Sequence, residues 1–165
     1  MVVSKDGFVL TTLAYLVKGG SVLFLYRDKK KDDENEGKYI GVGGHVEEGE
    51  SYVACMKREV KEETGYSVRR YIYKGKIDFL NEDQGIQKER MYLFLVGSFE
   101  GKEEICSEGD LSWIPEEQIP TLPLWEGDRA FLPYLFKDSG TFSMKLYYEK
   151  GRFVRAEGPV FKKTR

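Results

Sequence analysis

Between Ser51 and Gly65 lie thirteen residues, YVACMKREVKEET, with neither proline nor glycine among them. A serine at an N-cap accepts from the free N–H groups of the first turn, and a glycine just past the end takes the left-handed backbone that closes a helix. The segment therefore predicts an α-helix with both ends fixed. At about 100° per residue, Val53, Met56, Val60 and Thr64 fall within an arc of roughly 80°, which makes a core-facing stripe. Glu59, Glu62 and Glu63 fall in a neighbouring arc of roughly 100°. Lys57, Arg58 and Lys61 are expected on the other side of the stripe, leaving the acids undiluted. A helix with one apolar stripe must pack on a second layer, and the remainder of the chain has to supply it.

The acids are badly placed for a helix alone. Glu59 and Glu63 form a like-charge pair four residues apart, disfavoured by about 0.2–0.5 kcal/mol. Two carboxylates about 4 Å apart at an effective dielectric near 20 repel by roughly 4 kcal/mol. The C-terminal half of a helix also prefers cations. A solvated acidic face is one reading. The other is a site for a hard cation, since clustered carboxylate oxygens suit Mg²⁺ or Mn²⁺, and Mg²⁺ shares its remaining positions with water and substrate phosphates. The single histidine, His45, excludes a multi-histidine zinc site, and Cys55 and Cys106 are too few and too far apart for a thiolate site or a disulfide framework.

The second layer reads as strands. FVLTTLAYLVKGGSVLFLYR predicts a β-hairpin around Gly19 and Gly20, and YIGVGG a short strand ending in a glycine turn. YIYKGKIDFL, ERMYLFLVGSF and LSWIP are strand-like, and TFSMKLYYEKGRFVRA predicts a closing hairpin around Lys150 and Gly151. GDRAFLPYLFKD reads as a second helix bent or shortened by Pro133. Many strands and two helices without regular alternation indicate an α+β domain with a mixed sheet, and 165 residues fit one domain over 1–165. A net charge of −2 argues against a basic-faced binder of polymeric nucleic acid. No apolar run reaches membrane-spanning length, and no long apolar leader is present, so a cytoplasmic location is expected.

Gly41, Gly43, Gly44 and Gly49 form a glycine loop before the helix, but no Gly-Lys-Ser/Thr follows, and Val46 stands where a dinucleotide fingerprint needs glycine. Taken as one pattern, Gly44, five residues, Glu50, seven residues and Arg58-Glu59-Val60-Lys61-Glu62-Glu63-Thr64-Gly65 resemble the signature box of the Nudix hydrolases. Tyr66 departs from it, standing where an aliphatic residue is usual. NEGKYIGVGGHVEEGE upstream and SWIPEEQIPTLPLWEGDRAFLPYL downstream are similar to the MutT-type branch that hydrolyses oxidised purine nucleotides. The resemblance covers roughly residues 8 to 155. It implies an α/β/α sandwich with a mixed central sheet, and a monomer or homodimer acting on a small nucleotide with Mg²⁺, or Mn²⁺ in its place.

The same resemblance implies site residues. Glu59, Glu62 and Glu63 would hold the metal with the Gly44 carbonyl, and Glu108 would approach from a later loop, with Glu103 and Glu104 as competitors. Arg58 would pair with Glu50 and hold the loop on the helix. Glu62 or Glu63 would take a proton from the attacking water, and a nucleoside triphosphate would leave as monophosphate and pyrophosphate. Gly43 and Gly44 would lie against the substrate, Trp125 would stack on the purine and Asp128 would hydrogen-bond its edge. Either residue could instead be structural, Trp125 in the core and Asp128 as an N-cap. Ile40 stands where some relatives carry an asparagine that reads the purine, which puts discrimination between oxidised and normal guanine in question. Alternatives are a Nudix hydrolase for another nucleoside diphosphate derivative, such as ADP-ribose, or a nucleotide-binding module without catalysis.

Overall fold

In the computed structural model, residues 1–29, 35–81, 87–138 and 140–162 are described. The chain runs β1 (Val9–Lys18), β2 (Ser21–Tyr26), β3 (Tyr39–Ile40), β4 (Val42–His45), α1 (Tyr52–Thr64), β5 (Ser67–Asn81), β6 (Gln87–Glu100) and β7 (Asp110–Pro115). A 3₁₀ turn over Glu116–Thr121 leads to α2 (Glu126–Leu135), and β8 (Thr141–Glu149) and β9 (Arg152–Lys162) close the chain.

The strands form one mixed sheet in the order β3-β2-β1-β6-β5-β8-β9, with β4 added on β1 and β7 on β2. β1 runs parallel to β6 and β5 parallel to β8, while β5–β6 and β8–β9 are antiparallel. The first predicted hairpin exists only at its tip, where Val17 faces Val22 and Lys18 faces Ser21. Beyond that the two strands part, and β4 takes the vacated side of β1, with Leu13 opposite Gly43 and Thr12 opposite Gly44. Gly43 and Gly44 therefore lie in a strand rather than in a turn, which corrects the expectation of a glycine turn. Only there can the β1 backbone come so close: a Cβ on Gly43 would lie 1.8 Å from the Thr12 carbonyl oxygen.

Two cores cover the two faces of the sheet. Under α1, Met56 and Val60 pack on Ala14, Leu16, Leu23, Val42, Phe94 and Val96. Under α2, Phe131, Leu132 and Leu135 pack with Tyr15, Phe24, Ile77, Leu93 and Leu146. Helix, sheet and helix thus make the α/β/α sandwich implied by the sequence. α1 spans the predicted residues; the Ser51 hydroxyl accepts from Ala54 N, and Gly65 (φ 85°) closes it. Cys55 joins the buried stripe, while Val53 is only half-buried.

Candidate functional site

The acidic face of α1 looks toward β4. The Gly43 N–H donates to Glu63 Oε2 (3.1 Å), and a Cβ on Gly44 would fall 2.5 Å from Glu59 Oε1. The bare backbone of Gly44 is thus a cradle that any side chain would fill. Among the three later acids, Glu108 is the one brought against Glu63, and its own Oε2 accepts from Arg27 Nη1 at 3.3 Å. Glu103 is engaged elsewhere, accepting from Trp113 Nε1 (3.1 Å) and Tyr66 OH (3.2 Å). The Glu104 backbone N–H donates to the Thr64 carbonyl.

Arg58 lies where the sequence reading did not put it. Its Nη1 donates to Glu59 Oε1 (2.8 Å) and Glu62 Oε2 (3.3 Å), so a basic residue does stand among the acids. The reason is the helix repeat: Arg58 and Glu62 are four residues apart and share a face. The same guanidinium grips Glu50 with both arms, Nε to Oε2 at 2.8 Å and Nη2 to Oε1 at 3.0 Å, and Nη2 also donates to the His45 carbonyl (3.1 Å). One arginine therefore ties the loop ahead of α1 to the middle of the helix. Gly49, at φ 75°, makes the turn that lets Glu50 fold back.

These contacts explain how the crowded acids are tolerated. The Arg58 bonds hold the Glu50 carboxyl down at about 2. Burial pushes Glu59 up, against the pull of Arg58. Burial first, and then the hydrogen bond with Glu108 and the charge of Glu59, lift Glu63 to about 9, so it carries its proton in neutral solution. Among the described residues, no three histidine, cysteine or acidic side chains converge as a ready-made metal cage. The donors around the cradle are nevertheless all oxygens from one helix and one adjoining loop, which fits a hard cation.

β4 and its approach run from this cluster to the core on the α2 side, where the residues expected to bind the base lie. A Cβ on Gly41 would lie 2.9 Å from Tyr15 Cζ. Gly43, two residues on, touches Glu63, a step of about 7 Å along an extended chain. Trp125 is half-buried against the α2 core; its Nε1 donates to Asn35 Oδ1 (2.7 Å), and Lys38 Nζ sits 5.6 Å from the ring centroid. Trp125 is also the N-cap residue of α2 and makes no side-chain cap bond. Asp128 is therefore not the N-cap. It lies in the first turn, buried, and burial followed by the charge of Glu89 raises it to about 7. Tyr148, whose hydroxyl accepts from Gly127 N at 2.7 Å, and Tyr15 belong to the same buried core. Neither tyrosine was marked by any sequence motif; only the burial of aromatic residues in strand-like runs pointed inward.

Residues 8–135 match the family model of the NUDIX domain. The chain is 28% identical over 130 residues to an oxidized purine nucleoside triphosphate hydrolase of Danio rerio, covering 78% of this chain and 80% of the relative. It is 29% identical over 153 residues to an NAD-capped RNA hydrolase, NudC, of Haemophilus influenzae, a match covering 90% of this chain and 50% of that protein. The crystal structure of a MutT protein from Bacillus halodurans superposes with a TM-score of 0.81 at 25% identity, covering 91% of this chain and 97% of the other. With the box on a loop and helix beside a glycine strand, and a domain match over most of its length, the chain belongs to the Nudix hydrolase family and is of MutT type.

Proposed function

We propose that this protein hydrolyses nucleoside triphosphates to the monophosphate and pyrophosphate in a divalent-cation-dependent reaction, with Mg²⁺ as the physiological ion and oxidised purines such as 8-oxo-dGTP as preferred substrates. The observation that carries the reading is the carboxylate cluster brought against β4: the Gly43 N–H donates to Glu63 Oε2, and the bare Gly44 leaves room for the Glu59 carboxylate. The relative named for oxidised purine nucleotides adds support. In this reading the enzyme cleans the nucleotide pool of the cytoplasm. No helix among the described residues is long and apolar enough to cross a membrane.

Glu59, Glu62, Glu63, Glu108 and the Gly44 carbonyl would hold the cation. Bound there, it would supply positive charge to the phosphate oxygens and Lewis acidity to a water. The protein's own groups do the rest. Arg58 fixes the loop and the helix as one body through Glu50. Glu62, whose side chain is 58% exposed, reaches solvent and can accept a proton from the attacking water. Glu63 must first lose the proton that burial and Glu108 hold on it. Trp125 offers a face for stacking, worth about 1–3 kcal/mol per base. Asp128, raised to about 7, is partly protonated near neutrality and can donate to a carbonyl of the base.

The match to NudC favours one second reading, a nucleoside diphosphate derivative such as NADH or ADP-ribose. A panel of 8-oxo-dGTP, dGTP, 2-hydroxy-dATP, ADP-ribose and NADH with Mg²⁺, with products identified, separates the two. The proposal expects the highest kcat/KM for 8-oxo-dGTP, yielding 8-oxo-dGMP and pyrophosphate. Equal rates for dGTP and 8-oxo-dGTP contradict a sanitising role, and turnover of ADP-ribose or NADH alone transfers the enzyme to the second reading.

A further inference from the structure

The turn that leads into β3 reaches across to the start of α2. The Lys38 N–H donates to the Asn35 carbonyl (2.9 Å), closing a four-residue turn whose third residue, Gly37, takes φ 75°. The turn is pinned to the end of β2, where the Gly37 N–H donates to the Arg27 carbonyl (2.9 Å) and the Arg27 N–H to the Lys38 carbonyl (3.1 Å). One residue on, the Tyr39 N–H donates to the Pro123 carbonyl (3.0 Å), two residues before Trp125. Backbone bonds therefore fix this turn to β2 on one side and to the segment entering α2 on the other.

From the fixed turn, the Asn35 side chain meets the indole of Trp125, whose Nε1 donates to Asn35 Oδ1 at 2.7 Å. An indole has one polar atom, so this is the one strong directional bond the side chain can make. Trp125 is only half-buried, and water would satisfy its N–H there without help from the protein. What Asn35 adds is direction: the edge-on contact with Tyr148 (6.0 Å between centroids, 76° between planes) steadies one side of the ring, and the hydrogen bond fixes how the plane is turned. The ring also has a face outside the core. Lys38 Nζ lies over it, 5.6 Å from the centroid, and an ammonium keeps to water while its stem packs. That stem is flexible and can give up the face to a planar base.

We propose that Asn35 is a positioning residue of this enzyme, holding the Trp125 indole in the plane on which a nucleobase stacks. The proposal rests on the stacking reading of Trp125 given above and adds to it the residue that orients the ring. Stacking forms with bound substrate and persists through the reaction, so its loss falls on KM and leaves kcat nearly unchanged.

Steady-state kinetics of Asn35→Ala, Asn35→Asp, Trp125→Ala and Trp125→Phe with dGTP and 8-oxo-dGTP in the presence of Mg²⁺ test this, beside the melting curve of each variant. Asn35→Ala is expected to raise KM about fivefold, the worth of one hydrogen bond, at nearly constant kcat. Asn35→Asp keeps an oxygen for the indole and the preference for the first place of a turn, and should restore KM. Trp125→Phe has no indole N–H, so adding Asn35→Ala to it should raise KM no further. The same rise in that background, or a KM that Asn35→Asp does not restore, means that Asn35 only shapes the turn and overturns the proposal. A raised KM in Trp125→Ala with an unchanged KM in Asn35→Ala overturns the role of Asn35 and leaves the stacking reading standing. An unchanged KM in Trp125→Ala, or no turnover of either purine nucleotide by the wild type, removes the stacking reading and the role of Asn35 together.

Discussion

At the scale of single residues, the site is built from absences as much as from charges. Gly44 has its role because a Cβ there would collide with the Glu59 carboxylate at 2.5 Å. Glu59 cannot yield freely, since Arg58 holds it at 2.8 Å. Gly44→Ala is therefore expected to displace Glu59 and lower turnover by about 10²-fold, a loss typical of catalytic groups misplaced by an ångström. The fold should survive, because the clash is with a side chain; circular dichroism and steady-state kinetics check both halves. Asp128 gives a prediction about pH. Its carboxyl rises from 3.8 unfolded to about 7 folded, so the folded state binds more protons between these values. The stability it contributes is complete below about pH 4 and is lost as pH rises through 7. A shift of this size corresponds to at most about 4 kcal/mol. Asp128→Asn, which cannot ionise, should narrow the gap in urea-unfolding stability between pH 5 and pH 8.5; an unchanged gap contradicts the buried setting of Asp128.

At the scale of elements, α1 and the loop before it work as one part. The helix is closed at both ends by its own sequence, and Arg58 adds the cross-tie to Glu50 and the His45 carbonyl. Both side chains of the Arg58–Glu50 pair are mostly covered, at 25% and 15% exposure, so the pair is worth more than a surface ion pair. Lysine keeps the charge but cannot form the two-armed contact. Arg58→Lys is expected to cost about 1–3 kcal/mol of stability in denaturant unfolding. Turnover should fall further than stability alone explains, because Glu59 and Glu62 lose the same guanidinium. β4 is the matching element on the other side: one short strand presents Gly43 and Gly44 to the acids and follows directly on Gly41, which lies against Tyr15.

At the scale of the whole molecule, the two layers of helix cover opposite faces of one sheet, and the β3–β4 run meets the acids of α1 at Gly43 and the α2-side core at Gly41. The bounds of α1 and most of its buried stripe were legible, because caps and a 3.6-residue period are local signals. So was the spacing of Gly44, Glu50, Arg58, Glu59, Glu62 and Glu63. What lay beyond reach was non-local. The opening of the Gly19–Gly20 hairpin depends on β4 taking the edge of β1 that β2 would otherwise pair, and no short window shows that competition. The glycines of β4 looked like a turn because close approach of another strand is invisible in sequence. Arg58 was misplaced for a simpler reason, since its four-residue spacing from Glu62 was there to be counted. Asp128 and Tyr15 take their character from burial, which only the packed α2 face supplies.

The central claim is that the carboxylates at the C-terminal half of α1 perform the hydrolysis. The most direct measurement is Mg²⁺-dependent turnover of 8-oxo-dGTP by Glu62→Gln and Glu63→Gln, beside wild-type protein and with the fold of each variant verified by its melting curve. Turnover lost by at least about 10²-fold in both, with cooperative melting retained, is the expected result. Wild-type turnover in either variant contradicts the account.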